Sequence, residues 1–87
     1  MVKIRYSRDA IKFLGKQPKK NVERIREAIS KLTKNPPEGD IVPMKGYTDD
    51  RKRLRIGSWR IIFKNTTEGK FEILLIIDIG NRGDIYK

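Results

Sequence analysis

The run Arg51-Lys52-Arg53-Leu54-Arg55-Ile56-Gly57-Ser58-Trp59-Arg60-Ile61-Ile62-Phe63 constrains the fold more than any other stretch. Two apolar and basic strands meet at Gly57-Ser58, a two-residue loop with glycine at the first central position, where a type II′ turn needs positive φ. Such a loop fixes register, so Ile56 faces Trp59, Arg55 faces Arg60, Leu54 faces Ile61 and Arg53 faces Ile62. Side chains alternate along a strand. One face of the hairpin then carries Leu54, Ile56, Trp59, Ile61 and Phe63, and the other carries Arg51, Arg53, Arg55 and Arg60. Two arginines directly opposite each other repel unless an anion or a carboxylate lies between them, a poor choice for a sheet with only a structural task and a good one for binding a polyanion. An edge strand guarded by charge explains Arg51, Arg53 and Arg55 but not the facing Arg60. Trp59 shares its face with Ile61 and Phe63 and is read as core rather than as a base-stacking platform.

The remaining chain supplies layers for this hairpin. Val2, Ile4 and Tyr6 alternate with basic residues and predict a first strand. Ser7 offers an N-cap to a short helix, with Asp9 in its first turn and an apolar stripe of Ala10, Ile11 and Leu14, ending at Gly15. Pro18 opens a second helix whose stripe is Val22, Ile25, Ile29 and Leu32, ended by Asn35 before Pro36-Pro37. Residues 36–50 read as an ordered crossover loop that pins itself to the core through Ile41, Val42 and Met44. After the hairpin, whose second strand runs from Trp59 to about Lys64, a turn is expected over Asn65 to Gly69. Phe71 to Ile79 is the most continuously apolar run and predicts a central strand, with Phe71, Ile73, Leu75, Ile77 and Ile79 toward the helices and Glu72, Leu74, Ile76 and Asp78 beside the arginines; Gly80-Asn81 breaks it. The expectation is a single α+β domain spanning 1–87, with two N-terminal helices packed on one face of a four-stranded, mostly antiparallel sheet. Its order is strand, helix, helix, strand, strand, strand, with the first strand parallel to the last long one.

Composition narrows the chemistry. The 87 residues include 21 Lys and Arg against 11 Asp and Glu, a net charge of +10, which attracts nucleic acid, an acidic membrane or an acidic protein. With neither cysteine nor histidine, a disulfide framework, a thiolate nucleophile, the commonest metal ligands and the usual acid/base residue near neutral pH are all excluded, and no metal or cofactor is expected. No stretch approaches the roughly 20 apolar residues of a membrane span, and no signal-peptide run opens the chain, so a cytoplasmic protein without membrane contact is expected.

In this order and spacing the pieces resemble the RelE/ParE superfamily of type II toxin–antitoxin toxins: the helical pair, Met44-Lys45-Gly46 before the hairpin, Arg53 to Phe63, and the ending Ile79-Gly80-Asn81-Arg82 with Asp84-Ile85-Tyr86. RelE-like members of the superfamily cut messenger RNA in the ribosomal A site, whereas ParE-like members poison DNA gyrase and lack the basic catalytic set. The resemblance implies an active site with cations at Arg51, Arg53, Arg55, Arg60 and Arg82, and Tyr86 as acid/base or base-stacking residue. The joint presence of Arg53, Arg60, Arg82 and Tyr86 favours the nuclease branch. It also implies two partners, messenger RNA on the ribosome and a cognate antitoxin that covers the groove.

Metal-independent RNA cleavage uses the neighbouring 2′-hydroxyl as nucleophile and leaves a 2′,3′-cyclic phosphate, so the enzyme must align the attack, neutralise the phosphorane and move two protons. Guanidinium forks suit the second task. Arg55, Arg60 and Arg82 are expected to clamp the reacting phosphate, and Arg51, Lys52 and Arg53 to bind flanking RNA. Candidates for proton transfer are Tyr86, Lys52, Asp78 and Asp84. Unperturbed tyrosine and lysine titrate near ~10 and ~10.4, and neighbouring cations would draw Tyr86 toward its phenolate. The alternatives are a ParE-like gyrase inhibitor that hydrolyses nothing, and a non-catalytic RNA-binding module.

Overall fold

A computed structural model describes residues 2–81. In chain order its elements are β1 (Val2–Tyr6), α1 (Arg8–Gly15), α2 (Lys19–Lys31), β2 (Asp40–Pro43), β3 (Lys52–Ile56), β4 (Trp59–Glu68) and β5 (Phe71–Asn81). The fold is α+β, with one five-stranded sheet in the order β1-β5-β4-β3-β2. β1 runs parallel to β5 and the other pairings are antiparallel.

The hairpin forms in the expected register, with Arg55 opposite Arg60 and Ile56 opposite Trp59. Gly57 has φ 55° and no described non-glycine residue has positive φ, which excludes type I′ and leaves type II′. Leu54, Trp59, Ile61 and Phe63 enter one core with Ala10 of α1, Ile25 and Ile29 of α2, Leu32 at its C-cap, and Leu74, Ile76 and Ile79 of β5. Full burial of each large aliphatic side chain there contributes about 1.5–3 kcal/mol. Trp59 is buried and carries Arg24 of α2 over its ring, so it is a core residue. In α1 the set Ala10, Phe13 and Leu14 faces the core, and Ile11 falls outside the stripe at 58% exposure. The Ser7 cap fixes the helical phase, and an i, i+3, i+4 set starting at Ala10 leaves Ile11 on the flank. Among the described residues no helix is long and apolar enough to cross a membrane.

Three features depart from the sequence expectation. The sheet has five strands rather than four, because Asp40–Pro43, read as loop, pairs with β3. At four residues, closed by a proline, this edge strand has no usable periodicity of its own and exists through the ladder that β3 offers. Gly39 lets it approach, since a Cβ there would stand 2.6 Å from Leu54 Cδ1. The second departure is the length of β4, which continues through Asn65-Thr66-Thr67 to Glu68, so that the turn is Gly69-Lys70. Polar residues at the solvated end of a long hairpin resemble a loop in composition. β5 likewise continues through Gly80 to Asn81, paired with Arg60 and Trp59.

The third departure is the phase of β5. Ile62 pairs with Asp78, but the next residue, Phe63, pairs with Ile76, so Ile77 is an extra residue in a β-bulge. Beyond the bulge the alternation inverts. Leu74 and Ile76 face the helices, contrary to expectation, while Ile73 and Leu75 lie on the arginine side; Ile79 and Asp78 keep their expected faces. The bulge has a dedicated partner in Ser7, whose hydroxyl donates to the Ile77 carbonyl and accepts from Ala10 N at 3.1 Å, while Ser7 N donates to the Ile76 carbonyl at 2.9 Å. One serine therefore caps α1 and satisfies the strand irregularity.

Ser7→Ala loses a cap, typically about 1 kcal/mol, and leaves a carbonyl poorly satisfied, a further ~1–3 kcal/mol. Equilibrium urea unfolding should show a loss of about 2 kcal/mol or more, and Ser7→Thr, which keeps the hydroxyl, should recover most of it.

Candidate functional site

The helices cover one face of the sheet, and the cations gather on the other. β4 is the middle strand, and at its first turn-proximal pairs Arg60 lies between Arg55 of β3 and Gly80 of β5. Gly80 has no side chain to compete for the space over the sheet, and Arg60 is only 2% exposed. An arginine is rarely buried to that degree, and its placement in the central strand fixes its position far more firmly than a surface loop would. Arg53 pairs with Ile62 and Ile62 with Asp78, so the same face continues as Arg53, Ile62 and Asp78 one pair further along.

Arg55 is half-buried, and its Nε is buried with no hydrogen-bond partner among the described residues. Asp40 stands across from it on β2 without forming an ion pair. A buried guanidinium N–H is a strong donor left to seek an acceptor. Asp78 brings a second carboxylate to this face, paired with Ile62 on β4: its Oδ1 accepts from Ile79 N at 2.9 Å, and its side lies with the arginines as the sequence predicts.

At the far end of the row the arrangement differs. Arg51 donates bidentately to Asp49, Nε to Oδ1 at 2.9 Å and Nη2 to Oδ2 at 3.0 Å, and its guanidinium stacks 4.3 Å from the centre of the Tyr47 ring. Lys64, which extends the alternation of β4, reaches the same Asp49 Oδ2 at 3.4 Å. The hydrogen bonds from Arg51 hold the Asp49 carboxyl well below the usual carboxylate range, aided by the charge of Arg51 and the ammonium of Lys64. Neither Lys64 nor Asp49 was among the residues predicted from sequence. Lys64 was recoverable by extending the hairpin alternation by one pair, whereas Asp49 sits in a loop whose path no periodicity predicts.

Of the predicted residues, Arg53, Arg55 and Arg60 come together, and Arg51 lies on the same face with its fork taken by Asp49. Lys52 is set apart from them: it pairs with Phe63 and so lies on the helix-side face by alternation. Arg82, Tyr86 and Asp84 lie outside the described residues. A cavity of about 400 Å³ lies elsewhere, lined by Val2, Leu32, Asn35, Pro37, Thr66 and Glu72 at the opposite end of β4.

The family description for the ParE toxin of type II toxin–antitoxin systems, parDE, matches residues 4–86. The chain belongs to this toxin family. Solved structures place it in the wider RelE/ParE superfamily. A chain of the archaeal RelE–RelB complex from Pyrococcus horikoshii OT3 superposes with a TM-score of 0.71 at 25% identity, over 95% of this chain and 97% of that one. The RelB–RelE antitoxin–toxin complex from Methanococcus jannaschii gives 0.69 at 22% identity, over 94% of each chain. The YoeB/ParE toxin from Agrobacterium tumefaciens gives 0.69 at 20% identity, over 91% of this chain and 96% of that one. No curated protein matches. The superfamily toxin fold is thus common to chains described as RelE and as ParE.

The depressed Asp49 carboxyl has a pH consequence. Its ionised form is favoured by folding, so its contribution is complete above the ordinary aspartate pKa near ~3.9 and is lost as pH falls toward the depressed value. The difference in urea midpoint between the wild-type toxin and Asp49→Asn should be constant above about pH 5 and shrink below about pH 4.

Proposed function

We propose that this toxin is a ribosome-dependent endoribonuclease that inhibits translation by cutting messenger RNA, and that a cognate antitoxin holds it in check. The observation that carries the reading is the Arg55–Arg60 pair: two guanidinium groups directly opposite on the face away from the helices, one of them buried in the middle strand. Fixed donors aimed at one place stabilise charge that develops there, which is what an in-line attack by a 2′-hydroxyl on the adjacent phosphate requires. In this reading Arg55 and Arg60 neutralise the phosphorane oxygens and Arg53 holds a neighbouring phosphate. Asp78, on the same face, takes the proton of the attacking hydroxyl. Resemblance adds Arg82 to the clamp and Tyr86 as an acid/base residue, and the departing 5′-oxygen takes up a proton from Tyr86 or from solvent. Attack breaks the P–O5′ bond and forms P–O2′, leaving a cyclic phosphate and a free 5′-hydroxyl. With no histidine in the chain, proton transfer is weakly supplied, and a ribosome that holds the message in attack geometry supplies alignment that the toxin need not. Cellular toxins of this kind act in the cytoplasm, where the ribosomes and the antitoxin are.

The match to a ParE description favours a second reading, binding and inhibition of DNA gyrase without hydrolysis. The two separate cleanly. Programmed ribosomes and naked message are each incubated with the toxin and mapped by primer extension, in parallel with a gyrase supercoiling assay. Cuts confined to ribosome-bound message are expected, and equal cutting of both substrates sinks ribosome dependence. Inhibited supercoiling with intact message establishes the gyrase reading instead. Arg60→Lys and Arg55→Gln should fold and each lower the single-turnover cleavage rate by about 10²–10³, the usual cost of one donor to a developing oxyanion.

A further inference from the structure

The Asp49 loop marks a site that the clamp does not use. Arg51 and Lys64 converge on a single carboxylate, a bidentate fork and an ammonium around two oxygens, which is the donor set a phosphate would attract. The ring of Tyr47 stacks against Arg51 yet remains 48% exposed. A cavity of about 280 Å³ opens beside them, lined by Pro43, Met44, Asp49, Asp50, Arg51 and Lys52. The loop is closed at its base by Met44 N donating to the Arg51 carbonyl at 3.2 Å and turns at Gly46, φ 87°. The hydrogen bond that closes the base of the loop does not involve Asp49. Arg51 lies about 13 Å from Arg55 along β3, at roughly 3.3 Å per residue, with Arg53 between them on the same face.

We propose that Arg51 and Lys64 form a second phosphate subsite for single-stranded RNA, occupied in the free toxin by the Asp49 carboxylate as a built-in competitor, with Tyr47 as the stacking platform for the attached base. The proposal rests on the reading of the arginine face as an RNA track and adds to it a length, a direction along β3 and a restraint on affinity. Asp49 offsets charge at one end of the track, whereas Arg55 at the other has no ion pair among the described residues, so free toxin binds RNA through the clamp first. RNA long enough to reach Arg51 must displace the carboxylate. An anionic side chain is a weaker competitor than a phosphate diester flanked by a stackable base, because the base adds about 1–3 kcal/mol on an aromatic ring.

The test measures binding of a short oligouridylate to purified toxin by fluorescence anisotropy across a salt series. Asp49→Asn frees two cations, so its affinity should rise roughly fivefold or more at about 0.05 M salt, with the log–log salt slope steeper by about 0.7 for each added phosphate contact. Asp49→Asn/Arg51→Gln should return to near the wild-type slope, and Tyr47→Ala in the Asp49→Asn background should lose about tenfold by removal of the stack. An unchanged slope in Asp49→Asn while Arg55→Gln still weakens binding overturns the subsite and leaves the clamp standing. If Arg55→Gln binds as wild type does, the RNA track itself fails. Should Asp49→Asn not fold, Lys64→Gln provides the readout: in wild type it leaves Asp49 fully on Arg51 and should weaken binding, and no change overturns the proposal.

Discussion

The hydroxyl of Ser7 holds together two things that the rest of the molecule needs at once, the start of α1 and the bulge at Ile77. Without an extra residue in β5, alternation from Ile79 downward would put Ile73, Leu75 and Ile77 toward the helices and Leu74 and Ile76 away from them. With it, β5 serves the helical core through Leu74 and Ile76 and the cationic face through Asp78 and Gly80. A bulge leaves backbone groups outside the ladder, and those groups persist only where a partner is supplied. The serine supplies it from a position that also orients the first helix. Core and candidate site are therefore set by one local irregularity, and a change there reaches both.

The charges on the arginine face are arranged by degree of freedom. At the β1 edge Arg5 is paired with Glu68 at 3.0 Å, and Lys3 lies 4.0 Å over the ring of Phe71. At the β3 start Arg51 and Lys64 share Asp49. Arg55 has neither ion pair nor hydrogen bond among the described residues, although Asp40 is opposite it in register. A sheet selected for stability alone would close that pair. Holding Arg55 open opposite Arg60 costs self-repulsion and concentrates positive potential at the hairpin end of the face. The large helical and hydrophobic layer behind it carries that cost.

Much of this was legible from residues alone because it follows from short-range rules. Gly57-Ser58 dictated a type II′ turn, the turn dictated the register, and the register dictated that Arg55 and Arg60 would face each other. Ser7 was readable as a cap for the same reason. What could not be read depended on partners distant in sequence. β2 is a strand because β3 lies beside it, and Asp40 to Pro43 carry no period of their own. Thr66 and Thr67 are strand because Ile73 and Glu72 lie opposite them. The phase of β5 turned on a bulge whose compensating serine is 70 residues away. Asp49 belongs to a loop, and its capture by Arg51 and Lys64 is a fact of tertiary packing.

The parallel pairing of β1 with β5 has a bearing on when the arginine face takes shape during synthesis. Val2 sits beside Glu72 and Tyr6 beside Ile76, so the first strand made waits for the last described strand before it has any neighbour. β5 also supplies one wall of Arg60, through Gly80, and the bulge that Ser7 must reach. Pairings of such long sequence separation form late, after the entropy of closing the intervening chain has been met. A nascent chain exposing α1, α2 and even the finished hairpin still has an unflanked Arg60 and an unsorted face. The cationic face takes its final form only when β5 has emerged, so a growing chain carries Arg55 and Arg60 through synthesis without the neighbour that Gly80 gives Arg60.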